Sequence, residues 1–472
     1  MAQFDSSLLT RRVKEVYKIN QEDVLTVMTV DPSTLLVSQR IDLFVKLLYI
    51  EAKVTGNGLE YAKQAYINHI HSITAFKDEE NGQSEKNSVN AFVNTFDFLI
   101  SEIKEKGFDA TKSVIPISSD GIILDGAHRL ACCAYFDIPV SVVKIPHVGL
   151  TKDIKPPIYD WRYFERYLLG QHYLDAAVRL YIRYAKKNVY MACIWPKAAD
   201  PIKRRDAIGL IDKEYNIIYT KTFKPSFRQF DRLIAQIYMH DDWVGNIENG
   251  FSGSKGKSLL TFQKDADLTF VVFEGFGKEG IIRFKERVRN IFQIGKHSIH
   301  ITDNLEQTAF LADIILNRNS LRFLEEGNPD KYKLLIRDIY NAYKGNGMLN
   351  LSAAKIIWGF SGKQSELFLL SNKEIKSPYT AAYISADPSA FFCYLGMKAM
   401  MPSLDVASKY LVSFDRNQLI KRNRNSIVGF YMKLLNELGV FRRIAMDRLF
   451  QFLSNHSSIH NLLRKIKHIF SK

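Results

Sequence analysis

Five consecutive residues, Asp125-Gly126-Ala127-His128-Arg129, carry the densest set of groups able to work on a phosphorylated molecule. Glycine lets the backbone approach a phosphate oxygen closely, and an arginine fork grips two such oxygens at once. Histidine can donate to phosphate or shuttle a proton near neutral pH. Asp125 and His128 are therefore the catalytic candidates of this segment, and Gly126, Ala127, His128 and Arg129 its phosphate-binding candidates. The structural alternative is that Asp125 merely caps a helix whose first turn holds His128 and Arg129.

The flanking pattern says what must position these residues. Ser113 to Ile117 and Gly121 to Leu124 read as short strands around the turn Ser119-Asp120-Gly121, Ala127 to Phe136 as a helix, and Val140 to Ile145 as a β-branched strand. The segment thus sits where a strand ends and a helix begins, a place that favours anions. Upstream, helical spacing predicts helices over Ile41–Lys53, Leu59–His71 and Ser88–Lys106, with a polar loop from Asp78 to Lys86. On the first of them Asp42, Lys46 and Tyr49 share a face at i, i+4 and i+7. Asp42 and Lys46 are candidates to line the same pocket, or else form a solvated ion pair.

The run from Val114 to Lys144, with Asp125-Gly126-Ala127-His128-Arg129 between hairpin and helix, resembles the ParB/sulfiredoxin superfamily over about 30 residues. The resemblance implies a fold that places a Gly-x-x-Arg loop on nucleotide phosphates, and hence roles in phosphate binding for Gly126, His128 and Arg129. Sulfiredoxin carries a reactive cysteine just before the corresponding His and Arg, where this chain has Ala127, which argues against sulfinate reduction. ParB proper adds a helix-turn-helix domain directly after the fold, whereas Pro156-Pro157 here leads into alternating helices and strands. What the resemblance leaves is the enzymatic branch, which includes small-molecule kinases.

The whole chain reads as α/β (α+β) and multidomain, because 472 residues exceed one ordinary core. The interruption at Thr151–Pro157 sets a first domain at residues 1–150, ParB/sulfiredoxin-like with a helical insertion. A second, mixed α/β domain is expected at 158–325, with helices over Tyr163–Lys187, Lys224–His240 and Gly280–Phe292 and strands over Val189–Ile194 and Leu268–Glu274. In it, Gly250-Phe251-Ser252-Gly253-Ser254-Lys255-Gly256-Lys257-Ser258 invites comparison with the P-loop, but Phe251 stands where the first glycine is required. Leu259 to Phe262 also reads as a strand rather than the helix a P-loop needs. The remaining expectation is a flexible cationic loop whose Lys255 and Lys257 cover a phosphorylated ligand.

Alternation puts Ser298, His300 and Thr302 on one strand face, making His300 a further acid–base candidate beside His297. Asp303 with Glu306 reads as a capping box for a helix through Leu316. Residues 329–425 are expected to form a small α/β domain opening with a helix over Lys331–Tyr343. Around Gly359-Phe360-Ser361-Gly362 this domain loosely resembles a nucleotidyltransferase core, degenerate because Ser365 and Leu367 occupy the positions of metal-binding carboxylates. Residues 426–472 read as C-terminal helices, the last of them, Ile459 to Lys472, basic and amphipathic.

With 65 Lys and Arg against 50 Asp and Glu, the net charge of +15 favours an anionic partner. Cys132, Cys133, Cys193 and Cys393 show neither CxxC pairs nor a disulfide framework, consistent with a reducing compartment. No signal peptide and no apolar run of about 18 residues is visible, so the expectation is a cytoplasmic protein, peripheral on the inner membrane face through its basic C-terminus. No metal-ligand spacing occurs; Mg²⁺ is expected only as the companion of a nucleotide or phosphoribosyl pyrophosphate.

These readings converge on a transferase that moves a phosphoryl or phosphosugar group from a phosphorylated donor. The second domain would supply a sugar or glycan acceptor site, lipid-linked where it meets an anionic membrane. Chains of this arrangement are similar to proteins of bacterial surface-polysaccharide assembly. The alternative is a nonenzymatic, ParB-like, nucleotide-dependent module that binds DNA or a protein partner, for which salt-sensitive DNA affinity would be the mark.

Overall fold

A β-α-β crossover carries the Asp125–Arg129 segment. In the computed structural model, which describes residues 6–326 apart from 21–22, 24, 56–58, 76–86, 168, 185–187, 240, 247–248 and 276, together with 354–361, 364–371, 391–394 and 397–400, helix α1 (Arg11–Val16) precedes β1 (Val27–Val30). Helices α2 (Asp42–Thr55), α3 (Leu59–Ile73) and α4 (Val89–Lys106) follow, then β2 (Ile115–Ser118), α5 (Ala127–Phe136) and β3 (Val140–Ile145). β1 lies antiparallel to β3, with Val27 opposite Val143, and β2 runs parallel to β3, with Ile115 opposite Val142. A parallel pair needs a crossover, and α5 is that crossover. The expected hairpin before it is present as a turn with a single bridge between Ile117 and Ile123 rather than as two full strands.

Helix α2 is the central rod of the molecule. Ile41, Leu43, Phe44, Val45, Leu47 and Ile50 are fully buried, because α3, α5 and a later helix all pack on it. Ser88 caps α4 by accepting from the Ala91 N–H, and Gly107 ends it at φ +77°.

Beyond residue 157 come α6 (Trp161–Arg166), α7 (Gln171–Tyr184), β4 (Val189–Ile194), α8 (Pro201–Glu214), β5 (Asn216–Phe223), α9 (Phe227–Ile237), α10 (Ser252–Thr261), β6 (Leu268–Glu274), α11 (Lys278–Phe292), β7 (Ile299–Ile301), α12 (Leu305–Ile315) and α13 (Arg318–Glu326). Their four strands form an antiparallel sheet in the order β5-β6-β4-β7, with Val189 opposite Glu274 and Cys193 opposite His300. β4 is buried on both faces and accordingly reads as an unbroken apolar run. One face carries Ala207 and Ile211 of α8 with Ile281, Phe284, Val288 and Phe292 of α11. The other carries α7, α9 and α12.

The apolar core runs without a break from Leu35 to Leu324, across the Thr151–Pro157 interruption. The Phe44 and Tyr181 rings meet edge-on at 5.1 Å, the Ile41 N–H donates to the Tyr159 carbonyl at 2.9 Å, and the Asn216 amide donates to the Ser38 hydroxyl at 2.6 Å. Helix α7, buried from Tyr173 to Ile182, is the shared element.

Several sequence expectations need correction. The single helix over Tyr163–Lys187 is two, α6 and α7, separated near Gly170 at φ +95°. Leu259–Phe262 is not a strand, and Lys255 and Lys257 are not on a loop: both lie in α10. Its buried face is made of Ser254, Ser258 and Thr261 at i, i+4 and i+7, with Leu259 and Leu260 exposed, so its apolar pattern is inverted. The helix after β7 is capped by Asn304 rather than Asp303: the Asn304 side chain accepts from the Gln307 N–H at 2.8 Å, and the Gln307 side chain accepts from the Asp303 N–H at 2.7 Å. Helix α8 and strand β5 were not anticipated.

Further along, β8 (Ala354–Ser361) pairs antiparallel with β9 (Gln364–Ser371), and β10 (Phe391–Tyr394) with β11 (Met397–Met400). Gly359 to Ser361 thus belong to a strand, and Ser365 and Leu367 to its partner. The Asp78–Lys86 loop, the Lys331–Tyr343 helix and the C-terminal helices of 426–472 lie outside the described residues, as do most of residues 329–425. Among the described residues no helix is long and apolar enough to cross a membrane.

Candidate functional site

The turn into α5 is formed by Gly126, in the left-handed region at φ +82°, ψ +22°. Its carbonyl accepts the first helical bond, from the Leu130 N–H at 2.9 Å, and no side chain caps the helix. Asp125 is therefore not the cap. Its carboxylate instead faces the Arg129 guanidinium at 3.9 Å, a loose ion pair. Arg129 folds back over the glycine: a Cβ at position 126 would meet Nη2 at 2.9 Å and Cζ at 3.4 Å. A side chain here would have to adopt a disfavoured backbone and push the guanidinium away. Burial lowers the Arg129 pKa, with Asp125 only partly opposing it, so the cation is underpaired where it stands.

His128 is held from behind. The Tyr66 hydroxyl and His128 Nε2 share a hydrogen bond of 2.8 Å, and the imidazole meets the Phe96 ring edge-on at 4.7 Å. Tyr66 is itself stacked on Tyr49 at 5.3 Å, and the Tyr49 hydroxyl donates to Asp97 at 2.8 Å. An aromatic column from α2, α3 and α4 thus fixes the ring presented by α5. Ala127 occupies the first helical position between turn and histidine.

Asp42 and Lys46 do not form a solvated pair and do not line an open pocket; each is only 2% exposed. Asp42 accepts two bonds from Arg40, at 2.8 and 2.9 Å, and one from Lys46 at 3.0 Å. Arg40 also donates to the Ile123 carbonyl at 2.6 Å, tying the network to the segment that leads into the loop. Burial opposes the Asp42 charge, but Arg40 and Lys46 outweigh it and hold the carboxyl well below the usual range. Lys46 also reaches Nε2 of His69 at 3.2 Å. Burial and Lys46 keep that imidazole neutral. Ion pairs this deep need every partner satisfied, because charge removed from water is costly unless paired. Arg40, His69, Tyr66 and Phe96 are contributors that sequence reasoning missed. Only the closeness of Arg40 to Asp42 and the i, i+3 spacing of Tyr66 and His69 could have signalled them.

Cys132 and Cys133, one turn further along α5, are fully buried, and burial pushes the Cys133 thiol up to about 12 despite Arg129. Neither is poised as a thiolate nucleophile.

The remaining candidates gather on the other sheet. His300, on edge strand β7, lies 5.1 Å from the Tyr238 ring, and Lys257 Nζ lies 6.0 Å over the same ring while donating to the Lys296 carbonyl at 2.8 Å. Lys255 is exposed on α10. Among the described residues no group of three or more His, Cys, Asp or Glu side chains is arranged to hold a metal. No protein family, curated protein or solved structure gives a match to this chain.

Proposed function

We propose that the Gly126–Arg129 turn binds the phosphate of a nucleotide-like or phosphosugar donor, and that the chain transfers a phosphoryl or phosphosugar group from it. The observation that carries this reading is the Arg129 guanidinium laid over Gly126, underpaired by Asp125 at 3.9 Å, at an uncapped helix N-terminus. A phosphate entering there gains the fork of Arg129 and the positive end of α5. On this reading His128, whose Nε2 is engaged by the Tyr66 hydroxyl, uses Nδ1 to donate to that phosphate or to take the proton of an incoming hydroxyl. Mg²⁺, where the donor brings it, would be held by phosphate and water, with the Asp125 carboxylate at the same turn available as a further ligand.

On this reading the acceptor is a sugar or glycan hydroxyl, and the basic C-terminal segment favours an anionic membrane where that acceptor is lipid-linked. The sequence resemblance to the ParB/sulfiredoxin superfamily supports the same turn. A thermal-shift series with nucleotides and phosphoribosyl pyrophosphate, each with Mg²⁺, tests it. A ligand-dependent rise in Tm that disappears in Arg129→Ala supports the proposal, because ligands stabilise by mass action. A rise that persists in Arg129→Ala places the site elsewhere, and no rise with any phosphorylated compound ends the proposal.

A further inference from the structure

Cations collect around strand β7, at the edge of the four-stranded sheet. Lys285 and Arg289 stand one turn apart on α11, Lys257 comes from α10, and Lys296 and His297 precede the strand that carries His300. Lys285 and Arg289 are only 14% and 22% exposed, whereas the carboxylates that answer them, Asp303 at 3.4 Å from Lys285 and Glu286 on Arg289, are more than half exposed. The balancing charge therefore sits in solvent while the cations face inward.

The same place holds unmet hydrogen-bonding groups. Four buried side-chain polar atoms that lack a hydrogen-bond partner among the described residues are here: Trp195 Nε1, Arg289 Nε, His297 Nδ1 and His300 Nε2. The Trp195 and Arg289 atoms can only donate, and each imidazole can donate in one tautomer. Native interiors rarely leave such groups unmet, and a cluster of them calls for a ligand. His300 is 8% exposed and packs against Tyr238 at 5.1 Å and Trp195 at 6.3 Å.

We propose that Lys257, Lys285, Arg289 and His300 form a second anion site, one that takes the terminal phosphate of a small molecule and does not depend on the Gly126 loop. The partial burial of its donors favours a compact tetrahedral oxyanion over a polyanion, whose backbone cannot reach a histidine this deep. Mutual repulsion marks the same site. Burial, Lys296 and Arg289 bring Lys257 down to about 8, and burial, Lys285, Lys257 and Arg289 bring His300 down to about 3. An anion relieves that repulsion, as a paired charge does in any crowded cationic pocket.

The test uses the full chain in the Arg129→Ala background, which separates this site from the loop, with inorganic phosphate as the probe in calorimetric titration and thermal shift. Phosphate is expected to raise the Tm of Arg129→Ala and to bind about tenfold or more weakly once Lys257→Gln or Arg289→Gln is added, since each removes a charge-assisted bond. Lys257→Gln should also melt no lower than its parent without phosphate, because it removes one of several crowded cations. The proposal is overturned if phosphate gives no shift in the Arg129→Ala chain, or if the added substitutions leave its affinity unchanged. A phosphate-free Tm that falls in both added variants would likewise overturn it, by assigning the cations a structural role.

Discussion

The hydroxyl of Tyr66 and Nε2 of His128 share a hydrogen bond of 2.8 Å that links the helical layer to the first turn of α5. Tyr66 is fully buried, so its hydroxyl is a fixed anchor that, with the edge-on Phe96 ring, sets the orientation of the half-buried imidazole. Tyr66→Phe keeps the stacking on Tyr49 and the tilted contact with Phe96 while removing this oxygen. Loss of stability should be about 1 kcal/mol, the net worth of a neutral hydrogen bond. The effect on ligand should be larger in proportion: the Tm rise caused by a phosphorylated donor should shrink in Tyr66→Phe, read by thermal shift at fixed ligand concentration. A full rise in Tyr66→Phe would show that the orientation of His128 is irrelevant to binding.

Gly126→Ala tests the close approach directly. The residue sits at φ +82°, and the new Cβ would fall 2.9 Å from Arg129 Nη2. The left-handed backbone costs an L-residue about 1 kcal/mol, and the guanidinium must swing away. Chemical denaturation should register that loss, while donor binding should weaken as much as in Arg129→Ala. Unchanged binding in Gly126→Ala would show that the arginine can reach a ligand from another rotamer.

The buried cluster beneath the loop predicts an asymmetry between partners. Asp42 accepts from both Arg40 and Lys46 at the centre of this cluster. Asp42→Asn strands two buried cations and should cost about 3–5 kcal/mol, the range seen when one member of a buried pair is removed. Lys46→Met leaves Asp42 with both Arg40 bonds and fills similar volume with an apolar chain, so its cost should be clearly smaller. Urea unfolding of the two variants measures the difference. Equal losses would mean that Lys46, not Arg40, is the main counter-charge of Asp42.

Legibility in the sequence followed local periodicity. Helix α5 and strands β3, β4 and β6 were readable to the residue, because apolar spacing there is unopposed by polar burial. Helix α10 was not, since its inward face is Ser254, Ser258 and Thr261, whose hydroxyls are satisfied by Asp231 and by backbone carbonyls, while Leu259 and Leu260 face out. The Asp125–Arg129 turn was visible because its chemistry lies in five adjacent residues. The groups that support it, Tyr66, Phe96 and Arg40, lie 62, 32 and 83 positions from the residues they contact, His128 for the two rings and Ile123 for the arginine, and only tertiary packing joins them. Likewise Lys285 and Arg289 carried no signal of their proximity to His300, because α11 reaches β7 across a turn rather than along one face.

Acid stability gives a last prediction, because two imidazoles are held neutral inside the fold. Burial, helped by neighbouring cations, brings His300 from 6.5 down to about 3 and moves His69 in the same direction. Below pH 6.5 the unfolded chain takes up these protons and the folded chain does not, so stability is full above that pH and falls as the solution is acidified. Each histidine contributes about 1.4 kcal/mol per pH unit across the window between its unfolded and folded values. Asp42 adds to the loss only lower, since its depressed carboxyl begins to matter below about 3.8. Between pH 6.5 and 4.5 the slope therefore belongs largely to the histidines, and His300→Gln, which keeps a polar side chain of similar reach, should flatten it. Urea midpoints at several pH values across that window, compared between the native chain and His300→Gln, measure the change; parallel slopes would mean that His300 takes up its proton as readily in the folded protein as in the unfolded chain.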